Sequence, residues 1–338
     1  MYKEIYLMLT ESCPNRCEYC YIKNRSNPKT MSMDTVDFVM EKYKPNRVIL
    51  FGGEPLARES LLEDIVKKYY GKTKFQVVTS TSINWERFIE FNKKYPLSEI
   101  QVSWDGFNMN RINAKKMDTS IKTYDNILYA IDKGVKFDIK CVISNDNVDQ
   151  LLDIHNKFKE FKKKGVSGQF VIAHRELYKE SFFYSLEENL IHTFDLDKMY
   201  KDHLNMIMAY LGRDSNFSSC DGGKYTVIDP DGRESCCTAL SQSKDFEISS
   251  DEIQAPTKDP VCKKCKYNYI CDGGCRYERY AVFVNDWKFH HLESTCRMMK
   301  IYEDTITRFL DSLSDDDRDR LLSIIVSYKK YRSNYYKE

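Results

Sequence analysis

Apolar residues along this chain gather in short continuous runs, with stretches of helical spacing between them. The runs at 5–10, 47–51, 75–79, 99–104, 136–143 and 169–173 are brief and bounded by polar or turn-forming residues, the pattern of buried strands. Between them Val36, Val39, Met40 and Tyr43 share one helical face, as do Leu61, Leu62, Ile65, Val66 and Tyr69. Tyr124, Ile127, Leu128 and Ile131 repeat the spacing before Gly134, and Leu151, Ile154, Phe158 and Phe161 repeat it before Gly165. Both glycines, like Gly71, stand where a left-handed C-cap would close a helix. A further helix is expected around 196–211. Strands alternating with helices imply a parallel sheet with right-handed crossovers, on which ligand sites gather at the carboxyl ends of the strands.

Past residue 216 the texture changes to Gly-, Asp- and Cys-rich segments with little periodicity. An amphipathic tail follows, in which Ile301, Ile306, Phe309, Leu310, Leu321, Leu322 and Ile325 supply apolar faces broken at Ser314-Asp315-Asp316-Asp317. Three regions are therefore expected: an alternating strand–helix region over 1–212, a cysteine-rich region over 213–300, and a helical tail over 301–338.

Composition narrows the function classes. The 338 residues suit one large domain and a smaller one. A formal charge of +1, with Lys and Arg scattered among nearly equal Asp and Glu, offers neither a nucleic-acid nor a polybasic membrane surface. No apolar run approaches the roughly 18 residues of a membrane span, and the N-terminus lacks the pattern of a signal peptide. A cytoplasmic protein is expected, in which twelve cysteines point to metal binding rather than disulfides. Cys141 stands apart from the other eleven, inside an apolar run, as a core residue.

The chemistry begins after the first strand, at Cys13-x3-Cys17-x2-Cys20. Three thiolates on one loop can hold three irons of a 4Fe–4S cube and leave the fourth open to an outside ligand. A zinc loop is the alternative, although zinc wants four ligands and no histidine lies nearby. With Tyr19 just before the third cysteine, the loop resembles the radical S-adenosylmethionine (SAM) superfamily. That resemblance implies a partial (β/α)6 TIM-like barrel. It further implies that SAM's methionine chelates the open iron, and that one electron cleaves SAM to a 5′-deoxyadenosyl radical that abstracts hydrogen from a substrate.

Further motifs sit at later strand ends. Gly52-Gly53-Glu54-Pro55 offers backbone that a ligand can approach closely, and a carboxylate that can accept from an ammonium. It is similar to the superfamily motif that contacts the methionyl amine of SAM. Ser103-Trp104-Asp105-Gly106 resembles the S-x-D-G signature of the branch with extra clusters. By that likeness Ser103 helps hold the SAM ribose and Asp105 faces the substrate pocket; turn chemistry accounts for the same residues. Ser144 is a further candidate SAM contact. His174, after the sixth run, is a candidate acid or base, with a structural histidine as the alternative.

The second cysteine group reads Cys220-x11-Gly232-x4-Cys237, then Cys262-x2-Cys265-x5-Cys271-x3-Cys275, then Cys296. Two zinc sites would favour repeated C-x2-C knuckles, and one occurs here. The spacing is similar to the seven-cysteine SPASM extension of radical SAM enzymes, which carries two auxiliary 4Fe–4S clusters and brings the total to three. By resemblance Cys262, Cys265, Cys271 and Cys296 hold the outer cluster, and Cys220, Cys237 and Cys275 the inner one. Its fourth ligand is open among Cys236, Asp221 and substrate.

The expected function is a radical SAM/SPASM oxidoreductase acting on a peptide or protein. The product would be a thioether, a C–C crosslink or an oxidised side chain. The chemistry starts within a dozen residues of Met1, so either a separate leader-binding protein presents the peptide or the barrel alone recognises it. A flavodoxin or ferredoxin is the electron donor by likeness. The sulfatase-maturing branch has Asp directly after the second cysteine of this extension, and Thr238 stands there instead. The competing readings are a small-molecule radical SAM dehydrogenase and a non-catalytic zinc-stabilised binding module.

Overall fold

A computed structural model describes residues 4–22, 26–107, 111–113, 115–172, 178–212, 225–242 and 250–335. Eight strands form one sheet in the order β6-β5-β4-β3-β2-β1-β7-β8. They are β1 (Glu4–Thr10), β2 (Arg47–Gly52), β3 (Lys74–Thr79), β4 (Glu99–Ser103), β5 (Asp138–Ile143), β6 (Ser167–Ile172), β7 (Thr226–Ile228) and β8 (Glu234–Ser235). The helices are α1 (Met33–Tyr43), α2 (Glu59–Tyr69), α3 (Trp85–Lys94), α4 (Ser120–Asp132), α5 (Leu151–Lys163), α6 (Glu180–Asn189) and α7 (Lys201–Tyr210). The series continues with α8 (Ser250–Gln254), α9 (Pro260–Lys264), α10 (Asn268–Cys271), α11 (Arg276–Phe283), α12 (Glu293–Ser312) and α13 (Asp315–Tyr335).

The described residues divide into two compact units. One comprises those within Met1–Val142, Lys163–Val171 and Gly222–Gln254, the other those within Ile143–Lys162, Ile172–Asp221 and Ala255–Glu338. In the first unit β1 to β5 pair in parallel between neighbours, with Leu7 opposite Leu50 and Leu50 opposite Val77. Central parallel strands are covered on both faces, which is why they read as unbroken apolar runs. Val48, Ile49, Leu50 and Phe51 of β2 are all buried, each stabilising the fold by about 1.5–3 kcal/mol. All six expected strands are present, each within two residues of its expected start, and the partial barrel with its cysteine-rich region and C-terminal helices is the fold found.

The edge beyond β1 differs from expectation. Thr226–Ile228 pairs in parallel with β1 and turns back antiparallel into β8. The turn is Asp229-Pro230-Asp231-Gly232, with Gly232 at φ 84° and Asp229 accepting from the backbone of Asp231 and Arg233. Proline followed by Asp-Gly is turn chemistry with a mechanism.

At the amino ends of the strands a buried Arg47 guanidinium ties three of them together. It donates to Gln76 at 2.6 Å and to Glu99, while Gln76 donates to Glu99 at 2.9 Å. In the second unit α12 packs on α6 and α7. Phe309 meets Phe194 with ring centroids 5.4 Å apart, and Tyr328 of α13 donates to Asn205 of α7 at 3.1 Å.

Candidate metal and cofactor centre

The loop after β1 carries Cys13, Cys17 and Cys20, all half-buried. Cys20 donates its backbone N–H to the Cys17 carbonyl at 3.2 Å, and the Asn15 N–H points to the Cys13 sulfur at 3.4 Å. Arg16 folds its guanidinium back onto the carbonyls of Cys13 and Asn15, at 2.6 and 2.9 Å. The loop is braced along both edges. On one, Gly53 and Glu54 donate to the carbonyls of Thr10 and Ser12 at 2.6 and 2.9 Å. On the other, Asn15 bridges to Asn113 and Arg16 donates to Ile112 at 2.6 Å.

These contacts explain the paired glycines differently from the sequence reading. A Cβ on Gly52 would lie 2.4 Å from the Thr10 carbonyl oxygen, and one on Gly53 2.4 Å from that of Ser12. Gly52 also has φ +148°, a backbone that side chains disfavour. What approaches the glycines closely is the cysteine loop itself.

Glu54 likewise turns inward. Its carboxylate is fully buried and accepts from Thr79 Oγ1 at 2.7 Å, Ser80 N at 2.8 Å, Leu56 N at 3.2 Å and the Ser80 hydroxyl. Burial pushes its pKa up, and the hydrogen bonds from Ser80 and Thr79 pull it down. These hydrogen bonds join the end of β2 to the end of β3. Pro55 follows at the first position of a short 3-10 turn, where a missing N–H costs nothing.

Asp105 is 1% exposed and lies at the centre of a buried network. Its Oδ2 accepts from the Tyr19 hydroxyl and lies 2.6 Å from Arg111 Nε, while its Oδ1 accepts from Val142 N at 2.8 Å. The Arg111 guanidinium lies 5.8 Å from the centre of the Tyr19 ring. Burial pushes the Cys17 thiol up and Arg111 pulls it down. Asp105 thus fastens the aromatic residue of the cysteine motif to the end of β4, a role that sequence reasoning missed. Ser103 is half-buried at that strand end. Ser144 is fully buried, its N–H donating to Asn147 Oδ1 at 2.7 Å. His174, Cys220 and Asp221 lie outside the described residues.

The second cysteine group lies on short pieces of structure. Cys262 is in α9, Cys265 caps it, Cys271 ends α10, and Cys296 is in the first turn of α12. Asp272, Gly273 and Gly274 follow Cys271 with φ of 44°, 81° and 87°, a left-handed run that leads to Cys275. Burial, then Asp259, Cys271 and Cys296, push Cys262 up to about 12. Burial, then Cys296, push Cys271 up to about 11, with Cys265 adding to the rise. Burial, then Cys265, raise Cys296. Cys262, Cys265, Cys271 and Cys296, the set expected for the outer cluster, are thus close enough that ionising one disfavours ionising another. Asp259, Cys262 and His291 also offer ligand atoms within 4.8 Å of one another. Asp259 is already the α9 N-cap and accepts from His291 Nδ1 at 2.7 Å. Cys275 is half-buried in this unit; in the other, Cys236 is buried and Cys237 half-buried.

Both places fit the groups the motifs imply. The first has three half-buried thiols on one braced loop and a buried Asn15 carboxamide whose two polar atoms have no partner among the described residues. The second has four thiols whose crowding a cationic centre would relieve.

Residues 7–158 match the family described as the radical SAM superfamily. The chain carries a radical SAM domain. The chain is 31% identical, over 167 aligned residues, to the GTP 3',8-cyclase of Clostridium perfringens (strain SM101 / Type A), covering 44% of this chain and 50% of that protein. The chain thus spans about half the length of that relative. The cysteine-type anaerobic sulfatase-maturating enzyme of Clostridium perfringens (strain 13 / Type A) is 25% identical over 347 residues, 83% of this chain and 90% of that enzyme. The fold is shared with native anSMEcpe with bound AdoMet and Cp18Cys peptide, at TM-score 0.71 and 17% identity, covering 92% of this chain and 98% of that one.

Proposed function

We propose that this radical SAM enzyme modifies a peptide or protein, abstracting hydrogen from an amino-acid carbon to form a thioether, a C–C crosslink or an oxidised side chain. One observation carries the reading: the four-thiol group of Cys262, Cys265, Cys271 and Cys296, far along the chain from the radical SAM domain. An auxiliary cluster there suits a reaction that must remove an electron from its product or bind a substrate thiol. The alignment with the sulfatase-maturating enzyme runs over most of the chain and supports the same reading. Thr238, where that branch has Asp, favours a bond-forming outcome over sulfatase maturation.

Bound at Cys13, Cys17 and Cys20, a 4Fe–4S cluster with SAM supplies one-electron cleavage to a 5′-deoxyadenosyl radical. The chain's own residues fix where that happens. The backbones of Gly52 and Gly53 hold the loop and would also meet the methionyl end of SAM, and Ser103 would take the ribose. The Asp105–Tyr19–Arg111 network keeps the loop from shifting, because a misplacement of about 1 Å can cost on the order of 100-fold in rate. The second auxiliary cluster, a flavodoxin- or ferredoxin-type donor and a cytoplasmic location complete the proposal. Among the described residues no helix is long and apolar enough to cross a membrane.

The identity with GTP 3',8-cyclases favours a second reading, a small-molecule substrate. Anaerobic protein given reductant and SAM, then either a cysteine-containing peptide or GTP, separates the two. The peptide should raise 5′-deoxyadenosine release several-fold and lose hydrogen in its mass spectrum. Stimulation by GTP alone would overturn the peptide reading.

A further inference from the structure

Among the charged side chains of the cysteine-rich region, Arg279 of α11 is fully buried. Its Nη1 donates to Thr257 Oγ1 at 3.1 Å and to the His290 carbonyl at 3.3 Å. Its Nε and Nη2 have no partner among the described residues. The Trp287 ring covers the cation at 5.1 Å. Asp272, a nearby carboxylate, is already paired with Arg276. A buried guanidinium with idle donors costs several kcal/mol unless an anion meets it. Burial, then the neighbouring Arg276 cation, disfavour its charged form, while Asp272 and, once ionised, Cys262 and Cys275 favour it.

Resting on the auxiliary-cluster reading above, we propose that Arg279 is a positioning residue for the outer cluster of Cys262, Cys265, Cys271 and Cys296. Its Nε and Nη2 N–H groups donate to the sulfur atoms, and its charge offsets the anionic cluster. One-electron reduction makes the cluster more negative, so this cation stabilises the reduced form and holds the reduction potential up. Gly273 is part of the arrangement: a Cβ there would lie 2.8 Å from Arg279 Nη1.

The test uses full-length protein, reconstituted anaerobically, with EPR-monitored redox titration of wild type, Arg279→Lys and Arg279→Gln. Arg279→Gln should keep its iron and shift one auxiliary midpoint to more negative potential, and Arg279→Lys should shift it less. The signal of the SAM-binding cluster should stay unchanged in both. Full iron with an unmoved midpoint overturns the inference alone. Wild type holding only about four irons overturns the auxiliary-cluster reading and the inference with it. Should Arg279→Gln fail to hold iron, wild type grown with isotope-labelled arginine decides by pulsed EPR. A nitrogen coupling to the reduced cluster that disappears in Arg279→Lys supports the assignment, and its absence from wild type overturns it.

Discussion

At the scale of single residues, the site is organised by side chains that face inward. Asp105 was expected at a substrate pocket, because a sequence gives the strand end but not the side chain's direction. In the structure it joins Tyr19, Arg111 and the Val142 amide. Asp105→Asn would leave Arg111 buried without its counter-charge, a loss on the order of 3 kcal/mol. The expected outcome is a lower Tm together with loss of iron from the first cluster and of SAM cleavage. A variant with normal cleavage and stability would contradict the bracing role. Tyr19→Phe removes one hydroxyl donor and keeps the ion pair, so it should cost only about 1 kcal/mol. For Glu54 and the glycines, too, residue type said only that something comes close, and the fold adds that Thr10, Ser12 and Ser80 do.

Among the elements, the strands were legible because each central one is buried on both faces and so reads as an apolar run. Helix α3 was not, since Trp85, Phe88, Ile89 and Phe91 bury a narrow face within an otherwise polar segment. The short β7 was overlooked among cysteine-rich sequence, although its Asp-Pro-Asp-Gly turn was in plain view. The contact of the cysteine loop with the end of β2 predicts that Gly53→Ala should displace the loop, because backbone rather than a flexible side chain stands in the way. A cost of about 2–3 kcal/mol and loss of first-cluster iron at unchanged auxiliary iron are expected, read by iron analysis and thermal melts.

The connection from α6 to α7 carries a pH prediction. Thr193 donates its hydroxyl to the Leu190 carbonyl at 2.7 Å, so at 2.7 Å from His203 it accepts from Nε2–H. The other nitrogen, Nδ1, has no partner among the described residues, and burial pushes the pKa down to about 3. Unfolded, this histidine takes up a proton near pH 6.5. Between about pH 6.5 and pH 3 the unfolded state therefore binds more protons, and stability falls as pH falls, by up to about 1.4 kcal/mol per unit. Denaturant melts of wild type and His203→Gln should converge as the pH drops through this window. Parallel curves would show that His203 takes up its proton equally in both states, and so that burial does not depress it.

On the scale of the whole chain, the two cysteine groups sit in surroundings of opposite character. The first hangs from a sheet whose core side chains, Leu7, Val48, Leu50, Val77 and Val102, are wholly buried, so that framework stands without metal. Of the second group, Cys296 sits in the first turn of α12, but Cys262, Cys265 and Cys271 sit on or beside α9 and α10, five and four residues long, far below the roughly 12 residues at which isolated helices become marginal in water. Burial disfavours ionisation of Cys262, Cys271 and Cys296, and a metal centre that takes them as thiolates offsets that cost. Sequence spacing alone could group these cysteines but could not reveal how short the helices that carry two of them are. On the proposed reading, metal binding would supply folding energy for this segment. Removal of iron by a chelator under anaerobic conditions should erase hydrogen-exchange protection across 258–296 and leave β1 to β5 protected. Uniform protection after iron loss would mean that packing, not metal, fixes the second group; uniform loss would mean that the sheet, too, depends on its cluster.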